Sequence, residues 1–389
     1  MLRFKNDDGS QFPDWEKKKI SDIFSKVKDK NKDGQNQNVI TNSAEFGLIN
    51  QRDFFDKDIA VDGKTENYTV IKTGDFVYNP RKSKQAPYGP FNCYHLEEDG
   101  IVSPLYTCLR PKGIVDNEYL QWYFQSGSWY RFIYENGAQN GARHDRVGMT
   151  DSLMQEIPIY LPQLAEEQQK IADFLSTIDT VIEKQKKTVS AWEERKKGVM
   201  QKLFSQEVRF KADDGSGFPE WEEKKLGEVA DVKVGEKPTL VSDNAAYEYV
   251  NAGTTNSGYV DSYNCDGDTV TTPSRGQGGI GYVGYQKHEF WLGPLCYKIK
   301  SNKDDVLTKF MYYALSFDSK KIVDLKKVGT IPAINRADLI KLYMNFPCLA
   351  EQQKIADCLS SLDEVIEKQK ATLAAWEELK KGLLQQMFA

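Results

Sequence analysis

The 389-residue chain contains no apolar run near 18 residues, the length a membrane-crossing helix needs, so no helical span is expected. No charged-then-apolar leader follows Met1, which argues against secretion and makes the cytoplasm the expected compartment. The six cysteines, Cys93, Cys108, Cys265, Cys296, Cys348 and Cys358, include no Cys-x-x-Cys pair; zinc is disfavoured and reduced thiols are expected. Histidine is scarce, with His95, His144 and His288 scattered, one of them, His144, beside Arg143 and Asp145. No spacing points to a Ser-His-Asp or Cys-His site. A Walker A sequence is absent, and Asn79-Pro80 in YNPRK lacks the second proline and the aromatic of an amino-methyltransferase Asn-Pro-Pro-aromatic motif. Neither catalytic residues nor a resident metal or cofactor is therefore expected. The chain also lacks a basic excess: 52 Lys and Arg against 57 Asp and Glu give a formal charge of −5, so any nucleic-acid contact must come from local patches.

One glycine motif needs weighing. Gly276-Gln277-Gly278-Gly279-Ile280-Gly281 matches G-x-G-x-x-G, but a strand-like Tyr282-Val283-Gly284-Tyr285 follows it. A dinucleotide site needs a helix start there, to present its N–H groups to the pyrophosphate. A turn that lets two backbones approach closely is the better reading.

What the chain has in abundance is itself. Residues 167–204 return at 351–388, shifted by 184 and identical at 26 of 38 positions. RFKNDDGSQFPDWE at 3–16 returns as RFKADDGSGFPEWE at 209–222, shifted by 206. The segments between these landmarks show no obvious similarity, and the second is 22 residues shorter. A hydrophobic content of 40% and an aromatic content of 12% make both intervening segments foldable.

The repeated tails predict long helices. Ile171, Leu175, Ile178, Ile182, Val189, Trp192, Val199 and Leu203 alternate at four and three, with Gln185 and Lys196 in the remaining seam places. Ile355, Leu359, Leu362, Ile366, Gln369, Leu373, Trp376, Lys380, Leu383 and Met387 keep the same register. About five heptads make a narrow apolar stripe that one helix buries against another. At about 1.5 Å per residue each is a rod of roughly 57 Å. Antiparallel pairing within the chain is favoured, because two similar halves related by a pseudo-twofold axis bring similar seams together; intermolecular pairing uses the same stripe and stays open. Gln185 and Gln369 either fix register or lie at a wet edge.

The intervening segments read as α+β: short strands such as Phe76–Tyr78, Tyr247–Val250, Tyr282–Tyr285 and Cys296–Ile299, then one helix in each, near 118–134 and 307–324, then a final strand and a proline. They carry basic and amide-rich loops. Asn79, Arg81, Lys82, Lys84 and Tyr88 form one cluster; Asn140, Arg143 and Arg146 form a second. Thr272, Ser274, Arg275 and Gln277 form a third; Lys327, Asn335 and Arg336 form a fourth. Arginine and lysine grip phosphate or pair with guanine, and asparagine and glutamine pair with adenine, so these are the candidate DNA-binding residues. A solvated charged loop is the plainer alternative for any one of them.

The frame resembles the DNA-specificity subunit of type I restriction-modification systems. The residues that carry the resemblance are the Glu-Gln-Gln-Lys-Ile-Ala-Asp helix starts at Glu167 and Glu351, with Leu161-Pro162 and Phe346-Pro347 just ahead. The Phe-Pro-x-Trp-Glu segments at Phe12 and Phe218, SPLYTCLRP from Ser103 and GTIPAIN from Gly329 add to it. The resemblance implies a first target recognition domain over 1–164, a helix over 165–207, a second recognition domain over 208–348 and a helix over 349–389. It implies that each domain reads half of a bipartite, asymmetric target in double-stranded DNA, while the antiparallel helices set the unread spacer. It also implies two methyltransferase subunits and two endonuclease-translocase subunits as partners, with S-adenosylmethionine, ATP and Mg on those partners. A coiled-coil scaffold that binds only proteins is the alternative reading.

Overall fold

The structure, a computed structural model, describes residues 2–54, 65–136, 144–276, 278–327, 329 and 331–388. Two compact units result, one formed by Met1–Gln185 with Thr372–Ala389 and the other by Lys186–Ala371. Each long helix therefore gives one half of itself to each unit.

The first unit opens with strand β1 (Glu16–Lys19), turn α1 (Ile20–Ile23) and strand β2 (Phe24–Lys26). Hairpin strands β3 (Ile40–Ser43) and β4 (Gly47–Asn50) run into turn α2 (Gln51–Phe54). Strands β5 (Thr69–Ile71), β6 (Phe76–Tyr78), β7 (Phe91–Cys93), β8 (Gly100–Val102) and β9 (Thr107–Pro111) follow. Helices α3 (Asn117–Ser126), α4 (Tyr130–Glu135) and α5 (Asp151–Glu156) lead to strand β10 (Pro158–Leu161) and the long helix α6 (Ala165–Phe204). The main sheet is antiparallel with the order β2-β9-β6-β7. In β6 the period of two sends Phe76 and Tyr78 into one apolar cluster and Val77 into another, so all three are buried.

In the second unit, strand β11 (Glu222–Lys225), turn α7 (Leu226–Val229) and strand β12 (Ala230–Val234) repeat that opening. Strands β13 (Tyr247–Val250), β14 (Tyr259–Val260), β15 (Thr269–Pro273), β16 (Gly284–Gln286), β17 (Trp291–Leu292) and β18 (Cys296–Ser301) come next. Helices α8 (Thr308–Phe317), α9 (Ser319–Asp324) and α10 (Arg336–Leu339), strand β19 (Tyr343–Phe346) and long helix α11 (Leu349–Met387) complete it. Its main sheet, β12-β18-β15-β16, matches the first unit strand for strand, and β11 pairs with β19 as β1 pairs with β10. The difference lies outside this core: the first unit adds the pairs β3-β4 and β5-β8, the second the three-stranded sheet β14-β13-β17.

Each repeated landmark turns out to be half of one lock. Arg3 donates from Nε and Nη2 to the two oxygens of Glu167 at 3.0 and 2.9 Å, and Trp15 Nε1 donates to the same carboxylate at 3.2 Å. Arg209 meets Glu351 at 3.1 and 2.8 Å, with Trp221 Nε1 at 3.2 Å. Both arginines also donate to the carbonyls of the Phe-Pro step, Phe12 and Pro13 or Phe218 and Pro219. The next residue is as specific. Gln168 donates to Pro162 O and accepts from Asp116 N, the residue that caps α3; Gln352 donates to Pro347 O and accepts from Leu307 N, at the start of α8. Among the described residues no buried side-chain nitrogen or oxygen lacks a partner.

The helices pair antiparallel inside each unit. In the second, Lys196 bonds Asp363 at 2.5 Å while Glu193 bonds Lys370 at 2.6 Å, so one chain descends as the other climbs. In the first, Lys380 bonds Asp179 at 2.5 Å, and Leu384, Met387 and Phe388 join Ile171 and Leu175 in the core. The two seam lysines thus find anions, and each also lies over an aromatic ring, Lys196 over Tyr313 and Lys380 over Trp122.

Three expectations need correction. The single helix expected near 118–134 is two, because Gly127 caps α3 in the left-handed conformation at φ 73°, which an α-helix cannot continue through. The helix expected near 307–324 also divides, at Asp318, whose carboxylate accepts from Lys321 at 2.7 Å. The strand expected over Tyr282–Tyr285 starts only at Gly284, since Tyr282 N bonds Gly279 O in a turn.

Glu167 and Glu351 have 1% and 0% exposed side chains, so turning either into an amide takes the counter-charge from its arginine and replaces one acceptor oxygen with a donor. Glu351→Gln and Glu167→Gln are each expected to lower unfolding free energy by about 3 kcal/mol, measured by chemical denaturation.

Candidate nucleic-acid interface

Described members of the four loop clusters meet on two backbone ladders, one per unit. In the first, the loop after β6 meets the segment ahead of α5 in an isolated antiparallel bridge, Arg81 opposite Arg146. Val147 N donates to Pro80 O at 2.9 Å, and Lys82 N donates to Asp145 O at 2.8 Å. In the second, the loop after β15 meets the segment ahead of α10, Arg275 opposite Ala333, with Ile334 N on Ser274 O at 2.8 Å and Gly276 N on Pro332 O at 3.1 Å. The backbone ladders are the same in both; the side chains are not.

In the first unit this ladder edges a cleft of about 460 Å³. Asn79, Arg81, Lys82 and Arg146 line it, whereas Lys84 and Tyr88 do not; Tyr88 instead packs its ring on Tyr130 at 5.1 Å. Asn79 is part of the frame: its Nδ2 donates to Asn42 O at 3.0 Å and its Oδ1 accepts from Arg81 N at 3.0 Å. Asn140 and Arg143 lie outside the described residues. The opposite wall comes from residues the loop argument missed, Thr41, Asn42, Ser43 and Glu45 at the β3-β4 hairpin and Leu105 and Tyr106 before β9. Asn42 is 3% exposed and holds the wall together by donating to Val77 O at 2.7 Å and accepting from Asn92 Nδ2 at 2.7 Å. The density of Asn and Ser in ITNSAEFG was the available signal.

The second unit divides its candidates differently. Thr272 is fully buried and its hydroxyl donates to Tyr282 O at 2.8 Å; Ser274 is also buried. Both belong to the frame of the loop, Thr272 through its hydroxyl and Ser274 through its backbone, and offer a ligand little surface. Arg275 is exposed, and Gln277 lies outside the described residues. Lys327 forms a second bridge to Ala333 and pairs with Asp338 at 3.1 Å. Asn335 and Arg336 are exposed at the start of α10, but Arg336 Nε is committed to Val232 O at 2.6 Å. The glycine motif works as a close-approach turn: a Cβ on Gly279 would collide with the carbonyl of Ala252.

Among the described residues of these sites, no nucleophile is set beside a base. Burial pushes the thiols of Cys93, Cys108 and Cys296 up to about 12, which keeps them protonated and unreactive near neutral pH. Both sites offer guanidinium and amide groups on a shared backbone ladder, and the first adds hydroxyl groups on its cleft wall, chemistry suited to recognition.

The sequence matches the family model described as the type I restriction modification DNA specificity domain twice, over residues 13–189 and 219–375. The chain belongs to that family. Specificity subunits are also its relatives by pairwise comparison. It is 25% identical to the MjaX type I restriction enzyme specificity subunit of Methanocaldococcus jannaschii, covering 98% of this chain and 94% of the relative. It is 28% identical to the MjaVIII specificity subunit of the same archaeon over 74% of this chain and 73% of that one. In fold it is similar to the crystal structure of the S subunit of the type I restriction-modification system from M. genitalium, with TM-score 0.62, 18% identity and coverage of 100% and 98%. Among the described residues, no helix of this specificity-family chain is long and apolar enough to cross a membrane.

The buried amide is the element of this wall that a truncation tests most directly. Asn42→Ala removes a buried amide that donates to Val77 O and Pro90 O and accepts from Asn92 Nδ2, and is expected to lower stability by about 2 kcal/mol in a denaturation titration.

Proposed function

We propose that this chain is the non-catalytic subunit that chooses the DNA target of a type I restriction-modification complex. Each unit reads one half of a bipartite site through its bridged loop pair. The observation that carries the reading is the repetition of one backbone ladder with unlike side chains, Arg81 opposite Arg146 in one unit and Arg275 opposite Ala333 in the other. Equal frames that carry different side chains make the two half-site contacts unlike, and an asymmetric target follows. Arg and Lys supply phosphate and guanine contacts, and the amide and hydroxyl groups of the cleft wall supply or accept hydrogen bonds at base edges in the major groove.

The paired helices act as the ruler that fixes the unread spacer and as the surface on which two methyltransferase subunits dock; two endonuclease-translocase subunits complete the assembly. S-adenosylmethionine, ATP and Mg belong to those partners. The role of this chain is to hold the duplex so that a target adenine lies where a partner can turn it out of the stack and methylate it. The acidic balance of the chain is compatible with this, because the partners supply phosphate contacts of their own. A protein-only scaffold is the rival.

Coexpression with the methyltransferase encoded beside it, in a host free of DNA methylation, followed by genome-wide mapping of modified adenines, is expected to return one split, asymmetric motif; an absence of any motif favours the scaffold. The ruler has its own test. Removing one heptad from each of α6 and α11 shortens the pair by about 10.5 Å, so the spacer in the mapped motif is expected to contract by about three base pairs. An unchanged spacer would sink the ruler.

A further inference from the structure

We propose that Arg81 and Arg146 together clamp one phosphate of the DNA backbone, and that the second unit has no counterpart of this clamp. The proposal rests on the DNA-reading function above and adds to it the kind of group taken and an asymmetry between the two units.

The two ladders can be superposed bond for bond. Pro80, Arg81 and Lys82 occupy the places of Ser274, Arg275 and Gly276; Asp145, Arg146 and Val147 occupy those of Pro332, Ala333 and Ile334. The substitutions change charge in one direction. At these six places the first unit has three cations and one anion and the second a single cation, Arg275; Lys327, bridged to Ala333 from its other side, is paired with Asp338. Cross-strand neighbours stand about 5 Å apart at Cβ, and like charges so placed repel. Asp145 relieves this only weakly: it is 3.7 Å from Arg81 Nε, and the two side chains are 48% and 65% exposed. Two arginines set cross-strand by backbone hydrogen bonds, both lining an open cleft, are arranged for an anion that can accept from both.

A phosphate fits better than a base. The O6 and N7 pair of a guanine takes one guanidinium, whereas the unbridged oxygens of a phosphodiester accept from two at once. Arg275, with only a methyl group opposite, has the single-donor arrangement instead.

The test uses the full chain in complex with its methyltransferase partner, and duplexes carrying either the mapped motif or a scrambled sequence. Arg81→Ala and Arg146→Ala are each expected to weaken both duplexes by a common factor, on the order of tenfold, and to reduce the salt-dependence slope by about 1, with the methylated motif unchanged. Neutral methylphosphonates placed one at a time along the duplex are expected to reveal one phosphate whose neutralisation weakens the wild type and has no further effect on either variant. The thermal midpoint of both variants should match the wild type, which separates loss of a contact from loss of structure. Relaxation of one base in the motif with an unchanged slope would make these arginines base readers and overturn the clamp while leaving the DNA-reading function standing. Unchanged affinity, or different phosphates assigned to the two arginines, would overturn it as well. Failure of the wild-type complex to bind the motif duplex would overturn the underlying reading.

Discussion

A carboxylate without solvent lies at the base of each unit, Glu167 in one and Glu351 in the other, and most of the local architecture answers its need for partners. A buried carboxylate is costly unless its charge is matched and its lone pairs are filled. Here an arginine closes on both oxygens and a tryptophan adds a third donor. The same arginine gathers the carbonyls of the Phe-Pro step, which brings the segment opening the unit against the first turn of the long helix. One residue on, Gln168 or Gln352 fastens the start of the following domain helix to that same turn. The lock joins three elements that lie far apart in sequence, and the β1-β10 and β11-β19 pairings run alongside it.

This arrangement separates a repeated frame from the loops that differ between the units. The lock and the helix seam use repeated residues, and they fix the same strand order twice. The loops after β6 and β15 and the segments ahead of α5 and α10 inherit a common backbone ladder from that frame, so their side chains can change without disturbing it. A ladder bond depends on main-chain atoms, and an exposed side chain on its edge contributes little to stability. The exposed chemistry of the loops can therefore differ between the two units while the fold does not.

Much of the frame was legible beforehand. The four-three spacing placed the helices, and every seam residue is buried or half-buried. Lys196 and Lys380 fitted poorly in an apolar stripe until Asp363 and Asp179 appeared across the pair, since ion-pair partners 167 and 201 residues away leave no local signal. The repeats announced that Arg3, Trp15 and Glu167 mattered together, though not that they touch. The candidate site was legible only as composition. Sequence clustering found Arg81, Arg146 and Arg275 among residues that are buried or committed elsewhere, such as Thr272 and Arg336, because burial depends on neighbours from distant strands. It passed over the wall around Asn42, whose amide is important through contacts with Val77 and Asn92.

The sequence by itself determined the family, the duplication, the two long helices and the contrast between copied frame and uncopied loops, because each of these is written in periodicity or in direct repetition along the chain. The tertiary structure decided which basic clusters share a site, which polar residues are framework, and that one unit sets two arginines face to face where the other sets an arginine against an alanine. Those are facts about cross-strand neighbours, and a cross-strand neighbour is chosen by the backbone hydrogen bonds of the whole sheet and not by any stretch of sequence.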